Sequence, residues 1–155
     1  MLTRLRHWGL ALILLPGLLL SPRRRALFHE IQSFERALPA TLKQPLPDAL
    51  RSITLQSSTP LILNESLLRN LSDLAALLDR RSPLGLCLRR SLTRYHFLRH
   101  AGVPVVLRFG AKFVEGKPDR NITGHAWLTL NDAPYHEAGE NWKGFTVMFN
   151  WPQEV

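Results

Sequence analysis

The chain carries one cysteine, Cys87, in the run Cys87-Leu88-Arg89-Arg90-Ser91. A thiol attacks carbonyl carbon only as thiolate. Open backbone N–H groups at a helix start, nearby cations and a neighbouring imidazole all favour that form. Cys87 stands at the expected start of a helix, with Arg89 and Arg90 beside it, and His125 follows downstream in Gly124-His125-Ala126-Trp127. A histidine acting as general base needs an acid to hold its second ring nitrogen. Asp132, Glu137 and Glu140 come next in the chain. Asp132 falls in a turn, where turn chemistry alone explains it. Glu137 falls on the expected returning strand, can face His125 across the ladder, and is preferred; Glu140 is third. Alone, a free cysteine is most often a small buried packing residue, and His125 reads equally as a surface-facing strand residue. The series of thiol, imidazole and acid in this order makes nucleophilic catalysis the sharper reading.

These residues need elements to carry them. Apolar residues at three- and four-residue steps predict a helix over Arg23–Leu38, stopped by Pro39. A proline-containing connector follows to Pro60, with a short helix around Asp48–Ile53. A second long helix is expected over Asn64–Arg80, capped by Asn64 or Ser66. A third covers Leu86–His100, led in by Ser82-Pro83-Leu84-Gly85 and stopped at Ala101-Gly102. The periodicity then changes to that of strands: Val103–Phe109 with Ala111–Val114 as its continuation, Ile122–Leu130, Tyr135–Ala138 after the turn Asn131–Pro134, and Phe145–Trp151. Alternation along Ile122–Leu130 places His125, Trp127 and Thr129 on one face. Ala126, Leu128 and Leu130 lie on the other, toward the helices. Gly124 permits close approach of another backbone, which suits a crowded site. Trp142, Phe145, Phe149 and Trp151 read as core or sheet-face residues. Helices first and an antiparallel sheet after them define an α+β fold. Residues 1–60 form an apolar N-terminal helix, a second helix and the connector, packed on a core of residues 61–155 as one structural domain.

Composition narrows the classes. The 155 residues include 45% hydrophobic and 21% charged residues, ordinary for one folded domain. A single cysteine excludes an internal disulfide and a four-cysteine zinc site, and suits a reducing, cytoplasmic setting. The formal charge of +8 favours anionic partners. No glycine-rich phosphate loop is present, and no aromatic-interleaved basic module for nucleic acid. His96 and His100 share a helix face at metal-ligand spacing, but no third ligand accompanies them and a solvated face is the simpler reading. No metal and no cofactor are expected. The apolar run Trp8–Leu20 is shorter than the about 20 residues of a membrane span. It reads as a helical segment that is buried or lies on a membrane surface, with a secretory signal as the second reading. Arg23-Arg24-Arg25 beside it could touch anionic lipid.

Cys87-Leu88-x-Arg90-Ser91, the helix ending at Gly102, the strand through Leu107-Arg108-Phe109-Gly110, and His125-Ala126-Trp127 together resemble the transglutaminase-like cysteine proteases of lasso-peptide biosynthesis. The likeness covers roughly Ser82 to Glu137. It implies a papain/transglutaminase-like fold and removal of a leader from a ribosomally made precursor, with Cys87 as nucleophile, His125 as base and Glu137 as the third member, where that family usually has Asp. It implies no cofactor. It also implies a separate leader-recognition protein and an ATP-using cyclase as partners. An acyl-transfer enzyme of the same fold, or a non-catalytic scaffold binding the precursor or a membrane, are the competing readings.

Overall fold

A computed structural model describes residues 16–17, 19–54, 64–114, 121–137 and 139–152. Among the described residues, these helices precede four strands: α1 (Pro22–Thr41), α2 (Leu46–Thr54), α3 (Glu65–Leu78), α4 (Leu86–His100), β1 (Val106–Phe113), β2 (Ile122–Leu130), β3 (Ala133–Pro134) and β4 (Thr146–Trp151). This is the α+β arrangement expected from the order of periodicities.

Local chemistry sets the helix ends. Ser21 caps α1 by accepting from the Arg24 N–H at 3.4 Å, with Pro22 at the first helical position, where a missing N–H costs nothing. Asn64 caps α3, accepting from the Leu67 N–H at 3.1 Å. The predicted stop of α1 at Pro39 is not observed. The helix runs through Pro39 to Thr41, because the ring removes one donor near the helix end and the Leu42 N–H still closes on the Leu38 carbonyl at 2.9 Å. Gly102, at φ +83°, ends the α4 region as expected.

The sheet is ordered β3-β2-β1-β4, with all pairs antiparallel. β1 and β2 pair over their length, from Val106 opposite Thr129 to Phe113 opposite Ile122. β1 starts later than predicted, at Val106, since Pro104 has no N–H to give a ladder, and it continues through Gly110. The expected strand Tyr135–Ala138 is absent over its described residues. Asn131 and Asp132, at φ 51° and 63°, make a tight two-residue turn, so the returning strand is Ala133–Pro134 and ends there; His136, at φ 48°, then breaks the extended run. Ala138 lies outside the described residues.

One apolar cluster joins all of this. Leu27, Ile31 and Leu38 of α1 and Leu50 and Ile53 of α2 meet Leu68, Leu71, Leu92, Tyr95 and Leu98 of the longer helices and Leu107 and Leu128 of the sheet. α4 lies at the centre of this cluster, which explains its burial on more than one side. Most of Trp8–Leu20 lies outside the described residues; Leu19 and Leu20 are exposed. Among the described residues, no helix is long and apolar enough to cross a membrane.

Candidate active site

Cys87 is the second residue of α4. Gly85 caps the helix with backbone alone, and no side chain closes the first-turn N–H groups. The sulfur is half-buried and lies in hydrogen-bonding reach of the His125 ring. That hydrogen bond is the largest influence holding the thiol below its ordinary pKa; burial opposes it, and the Ala126 N–H, the charge of His125 and the Leu88 N–H add to it. The expected direct help from Arg89 and Arg90 is not among these influences. Both guanidiniums are engaged elsewhere.

β2 carries His125 to this place. His125 pairs in register with Gly110 of β1 and is walled by two rings, Trp127 at 5.8 Å and 16° and Phe145 at 5.3 Å and 39° between planes. A side chain at Gly110 would put Cβ 2.8 Å from the Trp127 ring and 3.0 Å from Phe145 Cβ, so glycine is what lets the Trp127 ring lie beside the histidine. The close approach expected at Gly124 is found at Gly110 instead. A Cβ on Gly124 would meet only the Gly110 carbonyl, at an ordinary 3.9 Å. Trp127 and Thr129 are buried along with Ala126 and Leu128, so this part of β2 is covered on both faces.

Glu137 reaches the site from the loop after β3, not across a ladder. Its side chain is 2% exposed, with Oε2 4.0 Å from His125 Nε2 and 2.7 Å from Arg90 Nη2. Among the described residues, His125 Nε2, Glu137 Oε1 and Arg90 Nε are buried without a hydrogen-bond partner. With Nε2 turned to the carboxylate, Nδ1 is the ring nitrogen left for the sulfur. The alternatives are elsewhere: Asp132 is 92% exposed in the turn and bonded to Arg108 at 2.6 Å, and Glu140 pairs with its neighbour Lys143 in solvent.

The seam between α4 and β2 holds contacts that residue types alone did not reveal. Ser91 Oγ donates to the Ala126 carbonyl at 2.8 Å. Ala126 thus accepts from Ser91 and, through its backbone, helps lower the pKa of Cys87, one turn earlier on α4. The signal was present in the sequence: Arg90 and Ser91 stand three and four residues after Cys87, on its helix face. Arg89 turns the other way, into Glu35 at 3.1 Å and the carbonyls of Leu84, Ala76 and Asp79. The pair His96 and His100 does not make the simple solvated face expected of it. His96 donates through Nδ1 to the Ile53 carbonyl at 2.7 Å and stacks on Phe34, and burial pushes its pKa down to about 4. Among the described residues no cluster of three metal-ligating side chains exists.

Two grooves of about 510 Å³ each lie on the sheet. One is lined by Arg108 and β4 residues, the other by Phe113, Ile122 and Met148, and neither by Cys87, His125 or Glu137.

A thiol at an open helix start, beside a strand histidine backed by a buried carboxylate, is an arrangement suited to forming and breaking acyl–sulfur bonds. Residues 11–150 match the model of the transglutaminase-like superfamily, and the chain belongs to that superfamily. No curated protein and no solved structure matches the chain.

Proposed function

We propose that this protein is a cysteine endopeptidase that removes the leader from a ribosomally made lasso-peptide precursor. The observation that carries the reading is the grouping of Cys87, His125 and the buried Glu137, in which the His125 ring is the main influence holding the thiol below its ordinary pKa. In this reading the Cys87 thiolate attacks the scissile carbonyl carbon. The C–N bond breaks as His125 gives its proton to the leaving amine, leaving an acyl thioester on Cys87. Water then attacks the thioester while His125 takes its proton, and the thiol is released. Glu137 steadies the imidazolium. The Cys87 N–H, at the uncapped helix start, is the natural donor to the oxyanion. The sequence resemblance supports a separate leader-recognition protein and an ATP-using cyclase as partners, and the basic chain suits an acidic leader. Membership of the superfamily favours a second reading, in which an amine instead of water takes the acyl group from the same thioester.

The test is cleavage of the precursor by the full chain, followed by mass spectrometry with and without added amine. Cys87→Ala should abolish cleavage with an unchanged melting temperature, and persistence of cleavage would refute the reading. An amide product formed only with amine would select acyl transfer. Alkylation of Cys87 in the wild type should reach its half-maximal rate below about pH 8.5, the free-thiol value; a midpoint at or above it points to a non-catalytic scaffold.

A further inference from the structure

The three partnerless polar atoms at the site belong to one cluster, and the cluster has an unusual member. A carboxylate that orients a histidine needs only the histidine and something to satisfy its second oxygen. Here Oε2 of Glu137 is claimed twice, by Arg90 Nη2 at hydrogen-bonding distance, 2.7 Å, and by His125 Nε2 at 4.0 Å, too long for a hydrogen bond. Oε1 has no partner among the described residues. Glu137 arrives on an irregular loop, just after the left-handed His136, with no strand pairing to hold it. Its carboxylate is nonetheless almost wholly buried, which is costly for a charge without a counter-ion. Arg90 supplies that counter-ion from α4, the helix that carries Cys87.

We propose that Arg90 is a positioning residue of the site: it holds the Glu137 carboxylate behind His125, where the carboxylate can receive the His125 Nε2–H once the imidazolium forms. The inference rests on the peptidase reading and assigns a role to the arginine of Cys87-Leu88-x-Arg90-Ser91. The hydrogen bond of Arg90 goes to Glu137, so the role proposed for it runs through Glu137 and His125. A carboxylate has acceptor capacity for both donors, and a small movement of the Glu137 side chain brings the free oxygen into play without releasing Arg90. Apo sites commonly hold such contacts long until substrate binds.

The experiment measures the rate of Cys87 alkylation against pH in the full chain, which needs no substrate. The set is wild type, Arg90→Gln, Arg90→Lys, Glu137→Gln, and the doubles Arg90→Gln/Glu137→Gln and Arg90→Lys/Glu137→Gln. Arg90→Gln and Glu137→Gln should each raise the midpoint by roughly half a pH unit or more, since the imidazolium loses its counter-charge and the thiolate its partner. The doubles should move no further than Glu137→Gln alone, because both changes act on one path. Arg90→Lys, which keeps the charge, should lie nearer wild type than Arg90→Gln. An Arg90→Gln midpoint at or below that of wild type, shifts that add in the doubles, or a Lys variant no better than Gln would overturn the proposal. Should Arg90→Gln not fold, the Lys variants decide it by the same non-additivity. A wild-type midpoint at the free-thiol value sinks the peptidase reading and this proposal together; a low wild-type midpoint unmoved by Arg90→Gln sinks only the latter.

Discussion

Two neighbouring arginines of helix α4 each hold a buried carboxylate, Arg89 that of Glu35 and Arg90 that of Glu137, and they do so differently. On the side facing α1 and α3, Arg89 is held largely by backbone: it donates to the carbonyls of Leu84, Ala76 and Asp79 and to one oxygen of the Glu35 carboxylate, whose Oε2 has no hydrogen-bond partner among the described residues. On the side facing β2, Arg90 holds one carboxylate oxygen, and bonding capacity on Arg90, Glu137 and His125 stays unused. Fixed backbone carbonyls make the first cluster a structural clamp. The second is built of side chains that can exchange partners, as the proposed proton transfer requires. Two arginines that each hold a buried carboxylate therefore do not signal equal roles; what separates them is whether the arginine's other partners are fixed backbone carbonyls.

The largest effect on stability is expected on the side held by backbone carbonyls. Arg89→Met leaves the Glu35 carboxylate buried and unpaired and should cost about 3–5 kcal/mol in urea unfolding at mildly alkaline pH, where Glu35 is ionised. Burial pushes the Glu35 pKa up to about 7, so the cost should shrink in mildly acidic buffer, where the carboxyl is already neutral. A loss below about 1 kcal/mol would remove the contrast between the two sides.

A smaller effect is expected at the seam. Ser91→Ala strands the Ala126 carbonyl and should cost about 1–3 kcal/mol. Because Ala126 also helps hold the Cys87 thiol below its ordinary pKa, the alkylation midpoint of Cys87 should rise as well. A stability loss with no change in thiol reactivity would make Ser91 structural only.

The smallest net effect comes from two buried groups that oppose each other. Glu35 is held protonated in the fold from 4.5 up to about 7, where the unfolded chain has released its proton, so its contribution to stability falls as pH rises through that window. His96 is held neutral from 6.5 down to about 4, where the unfolded chain is charged, so its contribution rises with pH over nearly the same window. Wild type should therefore show a shallow pH dependence there. Glu35→Gln should expose a rising slope of about 1.4 kcal/mol per pH unit, and His96→Gln a falling one of about the same size. Parallel slopes in all three proteins would show that neither group is perturbed by the fold.

Much of the scaffold was legible because periodicity and caps are local. α4 and β2 were readable to the residue, and β4 to within one. Misreadings cluster where a local rule met a longer-range one: α1 passes Pro39 because its last turn still closes at Leu42, and the returning strand stops at Pro134 because the turn is one of two residues. At the site, Cys87 and His125 could be named from type and order, and Glu137 from reach. The route by which Glu137 arrives, the wall of Trp127 and Phe145 and the need for glycine at 110 could not, since each depends on side chains meeting from different strands and loops.

By itself the sequence determined which residues could do chemistry, the helix and strand that carry the thiol and the imidazole, and the α+β class, all properties of neighbouring residues along the chain. Only the tertiary structure decided how identical residues divide their work: that Arg89 binds Glu35 while Arg90 binds Glu137, and that His96 is packed while His125 faces a thiol. The physical reason is that burial and pairing are set by what the other elements bring to a side chain, and that information is spread over the whole chain.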